Sequence, residues 1–177
     1  IGGNYLNHEI PGGIFRNQPN LLVLYMDDNV IGSLNPQWIQ NQTQLLTFVI
    51  DFNQIEDIPA GFFANANAIV TVSFWANNLK TLNRNIFGDL QNLQVMDMDN
   101  NVINAVDRRI IDDAVNLFIL YFWNNQCASG TFFDFVTNRV QHNERLATCY
   151  RNFEFIVGEF LWHCIIDKLA LDRKTLV

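Results

Sequence analysis

The chain has 177 residues, of which 49% are hydrophobic and 16% are charged. This composition is typical of one globular domain with a continuous core, so we expect no disorder over most of its length. The formal net charge is −7 at pH 7, and Arg16 is the one Lys or Arg among residues 1–79. Because affinity for nucleic acid depends on clustered Lys and Arg, the sequence argues against a nucleic-acid partner.

The sequence has no uninterrupted run of about 20 apolar residues, which is the length that a membrane-spanning helix needs. Its most apolar segment, residues 153–166, contains Glu154, Glu159 and His163, so we predict no membrane span. The sequence does not begin with Met and has no signal-peptide pattern. We therefore expect its numbering to begin inside a longer or processed product.

A repeat of 24 residues organises the chain. Asparagine recurs at this interval, at Asn29, Asn53, Asn77, Asn101 and Asn125. The residues eight, five and three positions before each asparagine are apolar in every copy. The residues two and five positions after it are apolar in four copies, whereas the fifth copy has Cys127 and Gly130 there. This regularity indicates a stack of repeats, because a fixed period is the signature of such architectures.

The spacing LxxLxLxxNxLxxL resembles that of the leucine-rich-repeat family, over residues 4 to 135, with a partial first copy at Asn4. The family's apolar convex-side position is matched by Phe15, Ile39, Phe63, Phe87, Ile111 and Phe135. The resemblance implies a solenoid with a curved parallel β-sheet and an irregular convex side. We predict at least five short parallel strands and little regular helix on the convex side before residue 131. These strands are predicted to start near Leu21, Leu45, Ile69, Leu93 and Leu117.

We interpret the recurring asparagines, called the asparagine ladder below, as structural. Where a strand turns, an amide side chain can bind backbone groups of neighbouring turns that would otherwise be buried without partners. The apolar side chains that alternate with outward ones along each strand are covered by the stacked turns.

The residues between the buried ones line the concave sheet. The central outward position of the five strands is occupied by Tyr25, Val49, Ser73, Asp97 and Tyr121. The position two residues before each asparagine is occupied by Asp27, Asp51, Trp75, Asp99 and Trp123. The position directly before each asparagine is occupied by Asp28, Phe52, Ala76, Asn100 and Asn124. Large aromatics grouped beside carboxylates are typical of recognition surfaces.

We predict that nine of these residues contact a protein partner, and we name them the concave patch: Tyr25, Asp27, Asp51, Phe52, Trp75, Asp97, Asp99, Tyr121 and Trp123. Two alternatives stay open. The aromatics can reflect β-propensity alone, or a neighbouring subunit or the C-terminal segment can cover them. Asp27, Asp51 and Asp99 also suggest a calcium site. Trp75 interrupts that series and no calcium-binding loop is present, so we predict no metal.

The pattern changes after Asn125, where a solenoid needs a terminal unit to cover its open end. From Phe153 onward apolar residues recur at helical spacing. We therefore predict an α/β fold in which residues 1–135 form the leucine-rich-repeat solenoid and residues 136–177 form a helical C-terminal cap and tail. The apolar stripe of this helix either folds back on the cap or pairs with another chain, giving a homo- or hetero-oligomer.

Cys127 and Cys149 lie in the place and order of a cap disulfide. The resemblance to extracellular leucine-rich-repeat proteins implies such a bridge, and the alternative is a pair of reduced, buried cysteines. Cys164 is then the odd cysteine, which suggests an intermolecular disulfide or a bridge to a missing segment. Asn41 begins a glycosylation sequon, Asn41-Gln42-Thr43, which favours a secreted, extracellular protein.

Nothing in the sequence indicates an enzyme. His8, His142 and His163 stand in three separate contexts without metal-binding or nucleophile spacing, and no glycine-rich phosphate loop is present. We predict no catalysis and no cofactor.

The predicted function is recognition of a protein partner on the concave face. In the first of three interpretations, the chain is a secreted recognition protein of the innate-immune type. It is then similar to secreted insect leucine-rich-repeat proteins, some of which dimerise through C-terminal helices and cysteines. In the second, it is the ectodomain of a cell-surface receptor or adhesion protein. In the third, it is a structural assembly subunit whose apolar tail makes subunit contacts.

Overall fold

A computed structural model describes residues 1–7 and 10–174, with side chains as far as residue 160. His8 and the side chains of His163 and Cys164 lie outside the described residues. The predicted intermolecular role of Cys164 therefore stays a prediction.

Short strands with a 24-residue register build the molecule. The strands of the described chain are β1 (Val23–Tyr25), β2 (Thr47–Val49), β3 (Thr71–Ser73), β4 (Thr81–Leu82), β5 (Val95–Asp97), β6 (Ala105–Val106), β7 (Ile119–Tyr121) and β8 (Thr131–Phe133). β1, β2, β3, β5 and β7 are consecutive parallel neighbours, and β8 adds antiparallel to β7 to make a six-stranded sheet. β4 and β6 form a separate parallel pair. The predicted five parallel strands are confirmed.

The five parallel strands begin two residues after the predicted start residues, four of which are leucines and one of which is Ile69. The leucine itself closes the preceding turn, as in the second repeat, where the Leu45 N–H donates to the carbonyl of Gln42. Sheet pairing starts only at the next two residues, since the N–H groups of Leu46 and Thr47 both donate to the carbonyl of Leu22.

The interior is a stack of apolar layers contributed by equivalent positions of successive repeats. The inward strand position is buried in every copy, at Leu24, Phe48, Val72, Met96 and Leu120. Further in, Phe63 and Phe87 of adjacent repeats stack with ring centroids 5.2 Å apart. Each repeat covers the apolar surface of its neighbour, as expected of a solenoid.

The asparagine ladder has the predicted structural role. Asn77 is 5% exposed, and its Oδ1 accepts the Ile55 N–H at 2.9 Å. Its Nδ2 donates to the carbonyls of Ile50, Phe74 and Trp75. The same acceptor contact, to a backbone N–H of the preceding repeat, occurs at Asn29, Asn53, Asn101 and Asn125. These bonds satisfy backbone groups that the turn removes from sheet pairing.

The convex side has little regular helix, as predicted. Three short 3₁₀ helices span Gly12–Phe15, Pro36–Trp38 and Arg84–Ile86, and one helix of six residues, α1, spans Arg108–Asp113. Three of the four begin after an Asn or Asp side chain that accepts the N–H two residues further on: Asn35, Asn83 and Asp107. Such local caps explain why these turns start where they do.

Two helices, α2 (Phe135–Arg145) and α3 (Ala147–Lys174), follow the last strand. A disulfide joins Cys127 of the fifth repeat to Cys149 of α3. α3 packs beside β6, and its Asn152 side chain donates to the carbonyl of Asn104 at 2.8 Å. The cap therefore lies against the flank of the solenoid.

Among the described side chains of α3, those at the beginning of its apolar stripe fold back on the cap. Cys149 and Tyr150 are buried, whereas Phe155, Ile156, Val157 and Phe160 are exposed. Within the described residues, no helix is both long and apolar enough to cross a membrane.

Candidate binding face

The structure places all nine residues of the concave patch on the outward side of the sheet or just past the ends of its strands. Tyr25, Asp97 and Tyr121 are strand residues that follow a buried inward neighbour. The others follow strand ends at equivalent positions of successive repeats. Each is exposed or half-buried, so neither α2 nor the described side chains of α3 cover the patch.

Phe52 and Trp75 form an aromatic pair near the middle of the patch. Their ring centroids lie 4.4 Å apart in an edge-to-face arrangement. Phe52 is 48% exposed and Trp75 is 37% exposed. Two large rings that contact each other and still face solvent present apolar area at a low entropic cost of ordering, as binding anchors do.

The residue before each ladder asparagine has a left-handed backbone conformation. The φ angles are 50–55° at Asp28, Phe52, Ala76, Asn100 and Asn124. Asn and Asp tolerate this region because their short polar side chains bind locally, but Phe and Ala do not. Holding Phe52 there costs about 1 kcal/mol or more. The fold therefore presents this ring in spite of an unfavourable local conformation.

Trp123 is held at the C-terminal end of the patch. Its indole Nε1 donates to the Thr131 hydroxyl at 2.8 Å, and its backbone N–H donates to Asp99. The indole is nevertheless 51% exposed. Trp123 therefore offers a fixed ring face whose polar atom already has a partner.

Two aspartates of the patch, Asp51 and Asp99, accept hydrogen bonds from the next repeat, and Asp97 accepts one within its own repeat. Asp51 accepts hydrogen bonds from the Ser73 hydroxyl and from the Trp75 N–H. Asp99 accepts the N–H of Trp123, and Asp97 accepts the N–H of Asp99. In each case the same carboxylate oxygen, Oδ1, accepts the bond, so the side chains both order the patch and give it negative charge.

Partial burial raises the pKa of three of these carboxyls. Burial, with the charges of Asp99 and Asp51, raises the pKa of Asp97 to about 6. Burial likewise raises the pKa of Asp51 and of Asp99, against the hydrogen bonds that they accept. Three carboxylates near one another, each disfavoured in its charged form, are stabilised by any cation that approaches them.

The patch has no basic side chain of its own. The ion pairs of the described residues lie elsewhere: Lys80–Glu56, Arg84–Asp113, Arg108–Asp112, Arg109–Asp107 and Arg139–Asp112. In the part of the chain that the structure describes, no three His, Cys, Asp or Glu side chains are grouped to hold a metal ion. The arrangement suits recognition of a positively charged surface.

One set of outward residues was missed by the sequence interpretation, which considered the centres and ends of the strands and not their starts. Leu22, Val23, Leu46, Phe118 and Phe133 lie at strand starts or on β8 and are exposed. The alternation of inward and outward residues could have identified Val23, since it precedes a buried inward residue. β8 and its Phe133 could not have been found from the repeat, because this strand lies beyond it and runs antiparallel.

Comparison with known sequences agrees with the 24-residue register. Two overlapping segments, residues 43–103 and 67–126, match the model of the leucine rich repeat family. This part of the chain belongs to the leucine-rich-repeat family. Domains of this family mediate protein interactions and are generally not enzymes. No curated protein is significantly similar to this leucine-rich-repeat chain in sequence.

Two solved structures are similar to this leucine-rich-repeat chain. The leucine-rich repeat domain of APL1B is 26% identical over 71% of the chain, with a TM-score of 0.63. The structure of the Toll–Spatzle complex from Drosophila is 17% identical over 75% of the chain, also with a TM-score of 0.63, and shows a common fold. The match spans 37% of the APL1B chain and 17% of the matched chain of the complex.

Proposed function

We propose that this leucine-rich-repeat chain is a secreted, non-catalytic recognition protein that binds another protein through its concave patch. The observation that carries the proposal is the exposed Phe52–Trp75 pair, in which Phe52 has an unfavourable backbone conformation. Strain of this kind persists where the surrounding structure overrides it, often at functional sites. The proposed role is of the innate-immune type.

The composition of the patch supports this mode of binding. Tryptophan and tyrosine dominate the energy of protein interfaces, and here Trp75, Tyr121 and Trp123 are the anchors. The aspartates surround them with negative charge, which speeds association with a basic partner more than it adds affinity. The similar structure from Drosophila is a complex that acts in development and innate immunity.

Three features support secretion. The Cys127–Cys149 disulfide is of a kind that persists in oxidising compartments. Asn41 of the glycosylation sequon is exposed, so a glycan there would not clash with the core. The fold is shared with the Toll–Spatzle complex. An ectodomain of a cell-surface receptor or adhesion protein would have the same features and the same binding face.

A role as an assembly subunit is favoured by one separate observation, the exposed apolar residues of α3. Phe155 and Phe160 are mostly exposed, and a second helix could cover them. A homo- or hetero-oligomer formed through α3, with Cys164 as an intermolecular disulfide, is therefore the second candidate. It is compatible with partner binding on the concave patch, since α3 packs at β6 and not on the six-stranded sheet.

The test is a comparison of three purified proteins in affinity capture from the native extracellular fluid, followed by titration of the captured partner. We expect Trp75→Ala to weaken binding by about 2 kcal/mol, or roughly 30-fold in Kd. Phe155→Ala is the matched control, because it removes an exposed aromatic from α3 and leaves the sheet intact. If Phe155→Ala abolishes capture while a folded Trp75→Ala protein binds normally, the partner docks on α3 and the concave assignment is wrong.

A further inference from the structure

The concave face has an exposed apolar edge where its strands begin. The first residues of the five parallel strands, Val23, Thr47, Thr71, Val95 and Ile119, are paired in register, and Ile119 is paired with Phe133, the last residue of the antiparallel strand β8. Beside them Leu22, Leu46 and Phe118 are exposed, and Phe118 and Phe133 are 53% and 52% exposed. We call these five exposed side chains, Leu22, Val23, Leu46, Phe118 and Phe133, the apolar row. Its members lie at the two ends of this edge, at β1 and β2 and at β7 and β8, and half-buried Thr71 and Val95 lie between them at the starts of β3 and β5.

The opposite edge of the same face has three aspartates, with Trp75 and Trp123 at the equivalent position of the other two repeats. Asp27, Asp51 and Asp99 lie four residues beyond the first residues of their strands. At the rise of an extended chain, this offset puts the acidic edge about 13 Å from the apolar row. No ion pair within the described residues involves these carboxylates.

Between the two edges, the outward side chains near the middle of the sheet are small. Its central positions have the small side chains of Val49 and Ser73, and Ser73 is buried. Larger rings lie towards its ends, at Tyr25 and Tyr121. A cylindrical object laid across the strands would therefore be seated over the middle repeats and bounded at both ends.

We propose that the partner docks a cationic amphipathic α-helix across this face, with its apolar side on the apolar row and its Lys and Arg side chains at the acidic edge. This inference rests on the proposed function. A helix with side chains is about 10–12 Å wide, which matches the separation of the two edges. An extended segment has its side chains on two opposite sides, so it would reach both edges only if apolar and basic residues alternated along it.

The length of the face sets the length of the helix. Six strands at the usual spacing cover about 24 Å. At 1.5 Å per residue this corresponds to about 16 helical residues, or between four and five turns. Apolar residues at helical spacing would follow the apolar row, and basic residues on the adjoining side would reach Asp51 and Asp99.

The experiment uses a fluorescent Leu/Lys peptide of about 16 residues with helical apolar spacing. One control peptide has the same composition with Leu and Lys alternating, and another has Glu in place of Lys. We expect the helical Lys peptide to bind at least tenfold more tightly than either control and to gain helical circular dichroism on binding. Equal binding of the alternating peptide would mean that an extended segment docks there, and would overturn the proposal.

Variants of the protein locate the peptide on this face. The double substitution Asp51→Asn and Asp99→Asn keeps the acceptor oxygens for Trp75 and Trp123 while removing the charge, so the fold should survive. We expect it, and Leu46→Gln on the apolar row, each to weaken peptide binding at least fivefold, and the charge variant to reduce the salt dependence. Phe155→Ala on α3 should bind as the wild type does. Unchanged binding in the face variants would overturn the proposal.

The two proposals fail in different ways. If Trp75→Ala loses the natural partner but the helical peptide does not bind the wild type, then the concave face is the binding site and its ligand is not a cationic helix. If Trp75→Ala retains the natural partner, then the concave patch is not its site and the proposed function fails first.

Discussion

The residue directly before each ladder asparagine is of a different type in the second and third repeats than in the fourth and fifth. All four residues have φ angles of 50–55°. In the later repeats this residue is Asn100 or Asn124, and the two amides bind each other at 2.8 Å. In the earlier repeats it is Phe52 or Ala76, neither of which favours this conformation. The same turn therefore has residues that tolerate the left-handed conformation in the later repeats and residues that do not favour it in the earlier ones.

This difference separates the demands of folding from those of function. The ladder asparagines impose the turn in every repeat, because their side chains bind both the preceding and the current turn. The residue before the asparagine can then vary without loss of the turn. Where it departs from the locally favoured type, at Phe52, it contributes an exposed ring beside Trp75. Local violations of this kind are expected where function competes with stability.

The largest predicted effect concerns the asparagine ladder, which both halves of the solenoid share. Asn77→Ala removes the acceptor for the Ile55 N–H and the donor to three carbonyls. We expect a loss of about 3 kcal/mol or more in the free energy of unfolding, because buried unpaired groups cost about 1–3 kcal/mol each. Asn101→Ala should cost a similar amount. Urea unfolding of both variants measures this, and a large difference between them would show that the ladder does not support both halves alike.

The second effect belongs to the C-terminal half alone. The Cys127–Cys149 disulfide closes a loop with a sequence separation of 22 residues, for which the chain-entropy model gives about 3 kcal/mol. Reduction should lower hydrogen-exchange protection in β7, β8 and α3 while leaving β2 protected. Loss of protection throughout the sheet would instead mean that the halves unfold as one unit.

The features of the fold and of the binding face that recur every 24 residues could be predicted from the sequence, and the features that do not recur could not. The ladder, the inward layers and the outward placement of the nine concave residues follow from the 24-residue period, since each repeat has the same environment. The strain at Phe52 did not follow, because the backbone conformation of a turn is not visible in apolar spacing. β8 and the exposed apolar row were also missed, as residues such as Phe118 and Phe133 lie outside the outward columns that the motif emphasises.

The third prediction concerns substitutions that exchange Ala and Asn at the position before the ladder asparagine between the two halves. Ala76→Asn places a tolerant residue at a left-handed position, and we expect it to stabilise the fold by about 1 kcal/mol. Asn100→Ala makes the reverse change and should destabilise by about the same amount. Thermal unfolding measures both. If both substitutions shift stability in the same direction, the left-handed position is not the source of the difference.

The smallest effect is the pH dependence that Asp97, at the central outward position of β5, gives to the stability of the fold. The pKa of Asp97 in the folded chain is raised to about 6 from its ordinary 3.8, chiefly by burial. The stabilisation linked to its protonation is present below pH 3.8 and is lost as the pH rises through about 6. Asp97→Asn should therefore be more stable than the wild type at pH 7.5, and the difference should vanish near pH 4. A difference that grows on acidification would contradict the raised pKa.

The most direct test of the account measures stability and binding on one variant, Phe52→Asn. If the ring is retained for recognition, this substitution relieves the left-handed strain, so the free energy of unfolding should not fall, while affinity for the partner drops tenfold or more. Ala76→Asn, at the equivalent position of the next repeat, serves as the matched control and should gain stability with little change in binding. If Phe52→Asn lost stability and bound the partner normally, Phe52 would be a structural residue. The main argument that the concave patch is the binding site would then fail.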